Sequence, residues 1–340
     1  MKHHAIIPIF IPHQGCPNGC IFCNQRKITA KAQPVTVEMA RETIETWLAT
    51  LRGRRGMETI EIAFYGGSFT GIPKDEQVRY LSVAKEYKDR GLIQKLHLST
   101  RPDYINEETL ARLRRMSVDI IELGVQSFDE RVLQLAKRGH DAAVVRRSAQ
   151  LIREYGFTLG IQLMIGLPGD SLQSCLYSAE ETVRLQPQLA RLYPTAVLHQ
   201  TELYDMWRAG SYEAPAQEEL VRRTAAMYRI LTRAGIQIIR VGLKSSELIG
   251  GEETAPGTYH PAFRQLVCGR IAKENLEAQL TAHPMEGKVS FYANGSSMSD
   301  MIGWRGENRR YFQTAYPQLS LRFQRDDSLA DGIYVCRKKE

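Results

Sequence analysis

The chain has 340 residues, 43% hydrophobic and 24% charged, with a formal net charge of +7. That length buries a sizeable core and fits one large α/β domain with a smaller appendage. No apolar run approaches the ~18–20 residues of a spanning helix, so no membrane span is expected and a cytoplasmic protein is. The positive balance suits a polyanionic partner without requiring one.

The first sixteen residues combine a basic residue with a short apolar stretch, but Pro8 and Pro12 interrupt it and no small-residue cleavage site precedes Cys16. They read as a first strand near 6–10 leading into a loop rather than a leader. Downstream, helix and strand signals alternate: helix 37–51, strand 60–65, helix 75–89, strand 96–100, helix 107–115, strand 119–125, helix 142–154, strand 158–165, helix 172–185, strand 191–198 and a helical stretch through Trp207. Such alternation implies a parallel sheet with covering helices. Six strands fall short of a closed eight-unit barrel, so a partial (β/α)6 TIM-like barrel is expected. A long amphipathic helix over 215–234 and a short strand over 236–241 follow. A turn-rich stretch from Gly250 to Pro261 comes next, and from about Lys273 the pattern changes to helix, strand, helix, helix, strand, strand. The expected division is 1–245 for the barrel, 246–272 for a substrate-side loop and connector, and 273–340 for a small α+β module.

Six cysteines in a reducing compartment argue against a disulfide framework. Cys175, Cys268 and Cys336 stand alone and read as ordinary core or surface residues. Cys16-x3-Cys20-x2-Cys23 is different: three thiolates on one loop, with Pro17, Asn18 and Gly19 supplying turns. Thiolates hold Fe–S clusters, and a cubane with three protein ligands leaves one iron open. Zinc bound by the same thiolates plus His13 or His4 is the competing reading from spacing alone. The position favours the cluster, because the loop follows the first strand of a parallel sheet, where such folds place chemistry.

Cys-x3-Cys-x-aromatic-Cys, with Phe22 as the aromatic residue, resembles the signature of the radical S-adenosylmethionine (SAM) superfamily. The resemblance implies a [4Fe–4S] cluster on Cys16, Cys20 and Cys23, with SAM chelating the open iron. It also implies reductive cleavage of SAM to a 5′-deoxyadenosyl radical, with the protein positioning the cofactor. Gly66-Gly67, ending the second strand, resembles the segment that receives the SAM amino group. The stretches 98–103, 122–140, 165–169 and 192–207 resemble the Elongator catalytic subunit and its radical SAM relatives, over about residues 16–210. By that resemblance Ser99, Gln126, Arg138 and Gln162 surround the SAM ribose and carboxylate, and backbone around Phe22 and Ile165–Leu167 meets the adenine. Gln162 stands where oxygen-independent coproporphyrinogen oxidase, a related member, has an aspartate. That oxidase also has another cysteine two residues after the third, whereas this chain has Asn24-Gln25, which disfavours porphyrin decarboxylation. Elongator-type enzymes carry a C-terminal acetyltransferase domain. Only about 130 residues follow Gly210 and they show no glycine-rich acetyl-CoA loop, so acetyl transfer by this chain alone is not expected.

The tail order β-α-GxxG-α-β-β resembles a KH RNA-binding module, with Gly303, Trp304, Arg305 and Gly306 as the backbone clamp and Arg305, Arg309 and Arg310 as its positive charge. A small structural cap explains the same pattern. Lys244-Ser245-Ser246-Glu247 and Tyr259-His260 flank the turn-rich stretch, either as surface loop residues or as substrate contacts, with Tyr259 or His260 as proton or hydrogen-atom partner. The expected function is a radical SAM enzyme modifying a tRNA or RNA base, with flavodoxin or ferredoxin as electron donor. The rivals are a radical SAM enzyme acting on a small metabolite or cofactor precursor, and a non-catalytic zinc-dependent RNA-binding protein.

Overall fold

The computed structural model describes residues 4–11, 15–16, 19–24, 35–53, 56–243 and 253–338. His13, Pro17, Asn18, the Lys244–Glu247 segment and Gly250-Gly251 lie outside the described residues.

Seven strands form one parallel sheet: β1 (His4–Phe10), β2 (Thr59–Tyr65), β3 (Lys95–Thr100), β4 (Ile120–Gln126), β5 (Thr158–Ile165), β6 (Leu189–Pro194) and β7 (Gln237–Val241). Every chain neighbour is a spatial neighbour. An order that never reverses puts all crossover helices on one face and leaves the other concave, which is a partial barrel. The helices are α1 (Val37–Leu51), α2 (Lys74–Asp89), α3 (Glu107–Arg115), α4 (Glu130–Leu135), α5 (Ala142–Glu154), α6 (Leu172–Leu185), α7 (Glu202–Arg208) and α8 (Gln217–Arg233). Their starts are fixed by the side chains expected at N-caps: Thr36, Asn106, Asp129, Asp141, Ser171 and Thr201 each accept the backbone N–H of the residue three positions on. Strand residues such as Ile7, Ile62, Leu98, Leu123, Ile161 and Leu192 are all buried, as a sheet covered by helices demands.

Three expectations change. The sheet has seven strands, because the segment read as a separate short strand pairs in parallel with β6. The strand expected over 191–198 leaves the sheet at Pro194, and Leu198 bridges antiparallel to Thr254 instead. The short α4 was not foreseen, since six residues are too few to carry a 3.6-residue period.

Helix α9 (Phe263–Ala282) runs through the position between 272 and 273 where the sequence places a division. Its first half, with Phe263 and Val267, belongs to the barrel core, and its second half, with Ala272, Leu276 and Leu280, to the core of the tail. The tail holds β8 (Gly287–Ala293), α10 (Met298–Ile302), α11 (Glu307–Ala315), β9 (Leu319–Arg325) and β10 (Val335–Lys338). This is the foreseen order, with β8 central, parallel to β9 and antiparallel to β10. No helix among the described residues is long and apolar enough to cross a membrane.

A helix shared by two cores couples their unfolding. Leu276→Ala, at a fully buried position, is expected to lower stability by about 2–5 kcal/mol. In urea titrations followed by circular dichroism it should leave a single transition. Two separated transitions would show that the cores unfold independently.

Candidate active site at the mouth of the barrel

The cysteine loop is seated by close backbone contact. A Cβ on Gly71 would lie 2.1 Å from the Gly15 carbonyl oxygen, and one on Gly15 would lie 2.2 Å from the Ser68 carbonyl oxygen. Only glycine at both positions allows this approach, and Gly15 also has a φ of +73°. The receiving turn is itself pinned. Thr100, at the end of β3, has its hydroxyl 2.8 Å from the Ser68 hydroxyl and 2.6 Å from that of Thr70, while Gln77 donates to the carbonyls of Thr70 and Ile72. On its other side the loop is held at Ile21, whose N–H donates to the Ala136 carbonyl and whose carbonyl accepts from Leu203 N–H. Gly71 and Gln77 were not singled out from the sequence, where nothing marks them; Thr100 lies in the 98–103 stretch that resembles the radical SAM relatives, without a role of its own there.

Arg138 sits against the buried thiol of Cys20. Its Nη1 donates to Cys20 Sγ at 3.0 Å and its Nη2 to the Gly124 carbonyl, while its own carbonyl accepts from Arg101 Nη2 at 2.6 Å. Arg101 in turn grips Asp103 through Nε and Nη2 at 2.9 Å. Arg101 Nη1 also lies 4.0 Å from the same sulfur, so two guanidinium groups face one buried cysteine. His4 is excluded from this site. It lies at the N-terminal end of β1, about 20 Å of strand away from the loop, and its Nε2 is 3.1 Å from Glu61. Among the described residues no three His, Cys, Asp or Glu side chains are placed to hold a single metal ion.

Down the concave face runs a polar chain contributed by neighbouring strands. Gln162 of β5 donates to Ser99 Oγ at 2.7 Å and to Glu122 Oε1, and Arg191 of β6 donates to Glu122 Oε2 at 2.7 Å. His97 lies between Glu61, at 2.6 Å from Nδ1, and Glu122, at 3.5 Å from Nε2, and Arg191 also bonds Tyr65 and Tyr193. Gly160 faces Glu122 across the β4–β5 register, where a Cβ would meet its side chain at 3.1 Å. Burial alone would raise the Glu122 carboxyl; the Arg191 guanidinium, His97 and Gln162 outweigh it and hold it down at about 2. Burial likewise opposes charge on His97, and Glu122 and Glu61 on either side outweigh it and raise its pKa. Single charged residues within otherwise apolar strands were the available signal for this chain of contacts.

The structure thus brings Ser99 and Gln162 together and sets Arg138 beside Cys20. Gln126 has a left-handed φ of +74°, and its buried Oε1 has no partner among the described residues. Phe22 packs with Leu167, Val132 and Ala136, and Gly66 and Gly67, with positive φ, end β2 at the same rim. Buried polar atoms without partners among the described residues include Gln126 Oε1, Arg138 Nε, Thr195 Oγ1, Tyr259 Oη and both ring nitrogens of His140. Polar atoms left unmatched at a barrel mouth are what a hydroxyl- and charge-bearing ligand would satisfy. His260 instead sets its ring edge-on to Trp304, 5.5 Å between centroids, and accepts from Ala262 N–H.

Residues 10–181, just over half of the chain, match the Radical SAM superfamily, and residues 187–273 match the radical SAM C-terminal domain. The chain belongs to the radical SAM superfamily. It is a radical SAM enzyme, and its cofactors are those of the superfamily, a [4Fe–4S] cluster and SAM. It is 26% identical to the tRNA uridine(34) acetyltransferase of Methanocaldococcus infernus over 64% of this chain and 48% of that protein. It is 27% identical to human Elongator complex protein 3 over 67% and 49%, and 26% identical to the heme chaperone HemW of Bacillus subtilis over 64% and 56%. The chain therefore spans about half the length of these curated relatives. In fold it resembles the archaeal Methanocaldococcus infernus Elp3 with an N-terminal deletion, with a TM-score of 0.64 at 23% identity, covering 81% of this chain and 64% of that one. The residues at the mouth fit the cofactors: a buried cysteine sulfur that accepts from a guanidinium suits an iron–sulfur ligand, and the amide and guanidinium atoms unmatched among the described residues suit a ligand carrying carboxylate and hydroxyl groups.

Gly71→Ala is expected to unseat the loop while leaving the barrel folded, so iron content after anaerobic reconstitution should fall several-fold with an unchanged far-ultraviolet spectrum; full iron loading would refute the seating contact. His97 offers a pH test. Its raised pKa contributes stability that is complete below its ordinary value of 6.5 and is lost as pH rises through the folded-state value. The urea midpoint of the cluster-free protein should therefore drop as pH is raised above 6.5, and His97→Gln should flatten that drop.

Proposed function

We propose that this enzyme modifies a tRNA base. The similarity over the barrel to proteins named for tRNA uridine(34) and to Elongator complex protein 3 carries this reading. In it, Cys16, Cys20 and Cys23 hold the cluster. When bound, cluster and SAM together supply one-electron reductive cleavage of the sulfonium, giving a 5′-deoxyadenosyl radical. The chain's own residues bind and orient. Arg138 spans from Cys20 to β4 and fixes the loop against the strand ends. Ser99, Gln162 and Glu122 form one hydrogen-bonded set able to take ribose hydroxyls; Arg138 Nε, unmatched among the described residues, can donate to the methionyl carboxylate, and Gln126 Oε1 can accept from a ribose hydroxyl. Gly66 and Gly67 let β2 end close to the amino group, and Phe22 with Leu167 provides an apolar wall for adenine. Flavodoxin or ferredoxin is the fitting electron source.

Tyr259 takes the role of hydrogen-atom or proton partner. Its buried hydroxyl has no hydrogen-bond partner among the described residues, and its side chain packs on the cluster of Ala196, Leu198 and Leu243. His260 serves to hold this segment onto Trp304. Gly303 is buried in the turn it begins, whereas Arg305, Arg309 and Arg310 reach solvent, so the arginines are the part of that turn open to RNA.

Two measurements test the reading. Mass spectrometry of tRNA nucleosides from a deletion strain should show one modified nucleoside missing, restored by the wild-type gene but not by Cys20→Ala; an unchanged nucleoside profile would refute a tRNA substrate. Tyr259→Phe removes a buried, unmatched hydroxyl, whose burial costs about 1–3 kcal/mol. Stability should hold or rise while product formation falls at least tenfold, with SAM cleavage retained.

A further inference from the structure

The tail carries a groove of about 330 Å3 lined by Arg309, Gln313, Leu321, Arg322, Phe323 and Gln324. Four of these are consecutive on β9. Side chains alternate across a strand, so four in a row can line one groove only if it runs along the strand's backbone edge. β9 is an edge strand, its only partner among the described residues being β8. The opposite wall is α11, where Arg309 and Gln313 lie one turn apart on the same face.

The chemistry of the groove is cationic and planar. The Arg309 guanidinium lies 5.3 Å from the centroid of the Phe323 ring, which itself packs edge-on to Phe291 in the module core. Arg322 is exposed on the strand. Neither Arg309 nor Arg322 forms an ion pair among the described residues, whereas nearby Arg325 and Arg337 are matched to Asp327 and Asp326. Gln313 and Gln324 add amides that both donate and accept. The Gly303 turn offers less. A Cβ there would meet Asn308 N at 2.8 Å, Asn308 donates to the Gly269 carbonyl of α9, and Trp304 packs on His260. That turn faces the rest of the protein, while the groove faces out.

We propose that the α11–β9 groove is a binding site for a single-stranded stretch of the RNA substrate, with Arg309 and Arg322 taking phosphates and the Arg309–Phe323 pair giving a face on which a base stacks. The proposal rests on the RNA reading above and places the contact on the groove rather than on the glycine turn. An acidic peptide adding to the free β9 edge is the other occupant such an edge admits. The unmatched arginines beside an aromatic ring favour RNA over it.

The test uses the full chain and a fluorescein-labelled single-stranded RNA, followed by anisotropy across a salt series. Arg309→Gln combined with Arg322→Gln should weaken binding about tenfold or more and lessen the salt slope by roughly 1.4, about 0.7 for each phosphate contact on a single strand. Arg309→Lys, which keeps the charge but loses the planar group, should also weaken binding, and Arg305→Gln with Arg310→Gln should cost less than the groove pair. All these side chains are exposed, and unchanged urea midpoints would confirm folding. Equal affinity of the groove double variant and wild type overturns the proposal, and if the missing tRNA nucleoside is still restored by that variant, the tRNA reading survives it. Displacement of RNA by an aspartate-rich peptide at lower concentration than by unlabelled RNA assigns the groove to a protein partner and also overturns it. Absence of RNA binding by wild type at low salt defeats both readings.

Discussion

The contact between Arg138 and Cys20 is the constraint on which the site depends, because it ties three separately folded pieces to one point. Nη1 reaches the thiol of the cysteine loop and Nη2 the Gly124 carbonyl of β4. The Arg138 carbonyl receives Arg101 from the end of β3. A guanidinium can do this because its donors fan out in a fixed plane, and lysine could not replace it. Backbone bonds at Ile21 hold the same loop from the side of Ala136 and Leu203. The glycine contact of Gly15 with Gly71 supplies the other half of the fixation, by shape rather than charge.

Beneath this point the barrel axis is polar where a bare hydrophobic core would be more stable. Glu122, Arg191, His97 and Glu61 are almost wholly buried, and removing ions from water is costly enough that such groups rarely improve stability over packed apolar ones. What they contribute is definition. Each oxygen of Glu122 has an assigned partner, one side facing Arg191 and His97 and the other Ser99 and Gln162. The carboxylate thereby orients the two side chains nearest the mouth. The network acts as a foundation for Ser99 and Gln162.

The tail is joined to the barrel through α9, whose two halves enter two cores. The Trp304–His260 contact adds a second tie between the tail and the segment bearing Tyr259. A ligand held on the outer face of the tail is thus connected mechanically to the barrel mouth by one helix and one aromatic pair.

The sequence by itself determined the alternation of strands and helices, the cysteine spacing and the order of elements in the tail. These signals are local: side-chain periodicity, caps and turn residues act within a few positions of themselves. Its resemblance to the radical SAM family pointed to Ser99, Gln126, Arg138 and Gln162 as expected SAM contacts. It could not show that Arg138 would bond a cysteine 118 residues away, that Gln162 and Ser99 would share Glu122, or that His4 would end at the far end of its strand from the cysteines. Pairing of β7, the loss of residues 195–198 from the sheet and the run of α9 across two cores were likewise settled by packing. Register between strands brings distant side chains to one level, and register is decided only when the whole sheet closes around its core.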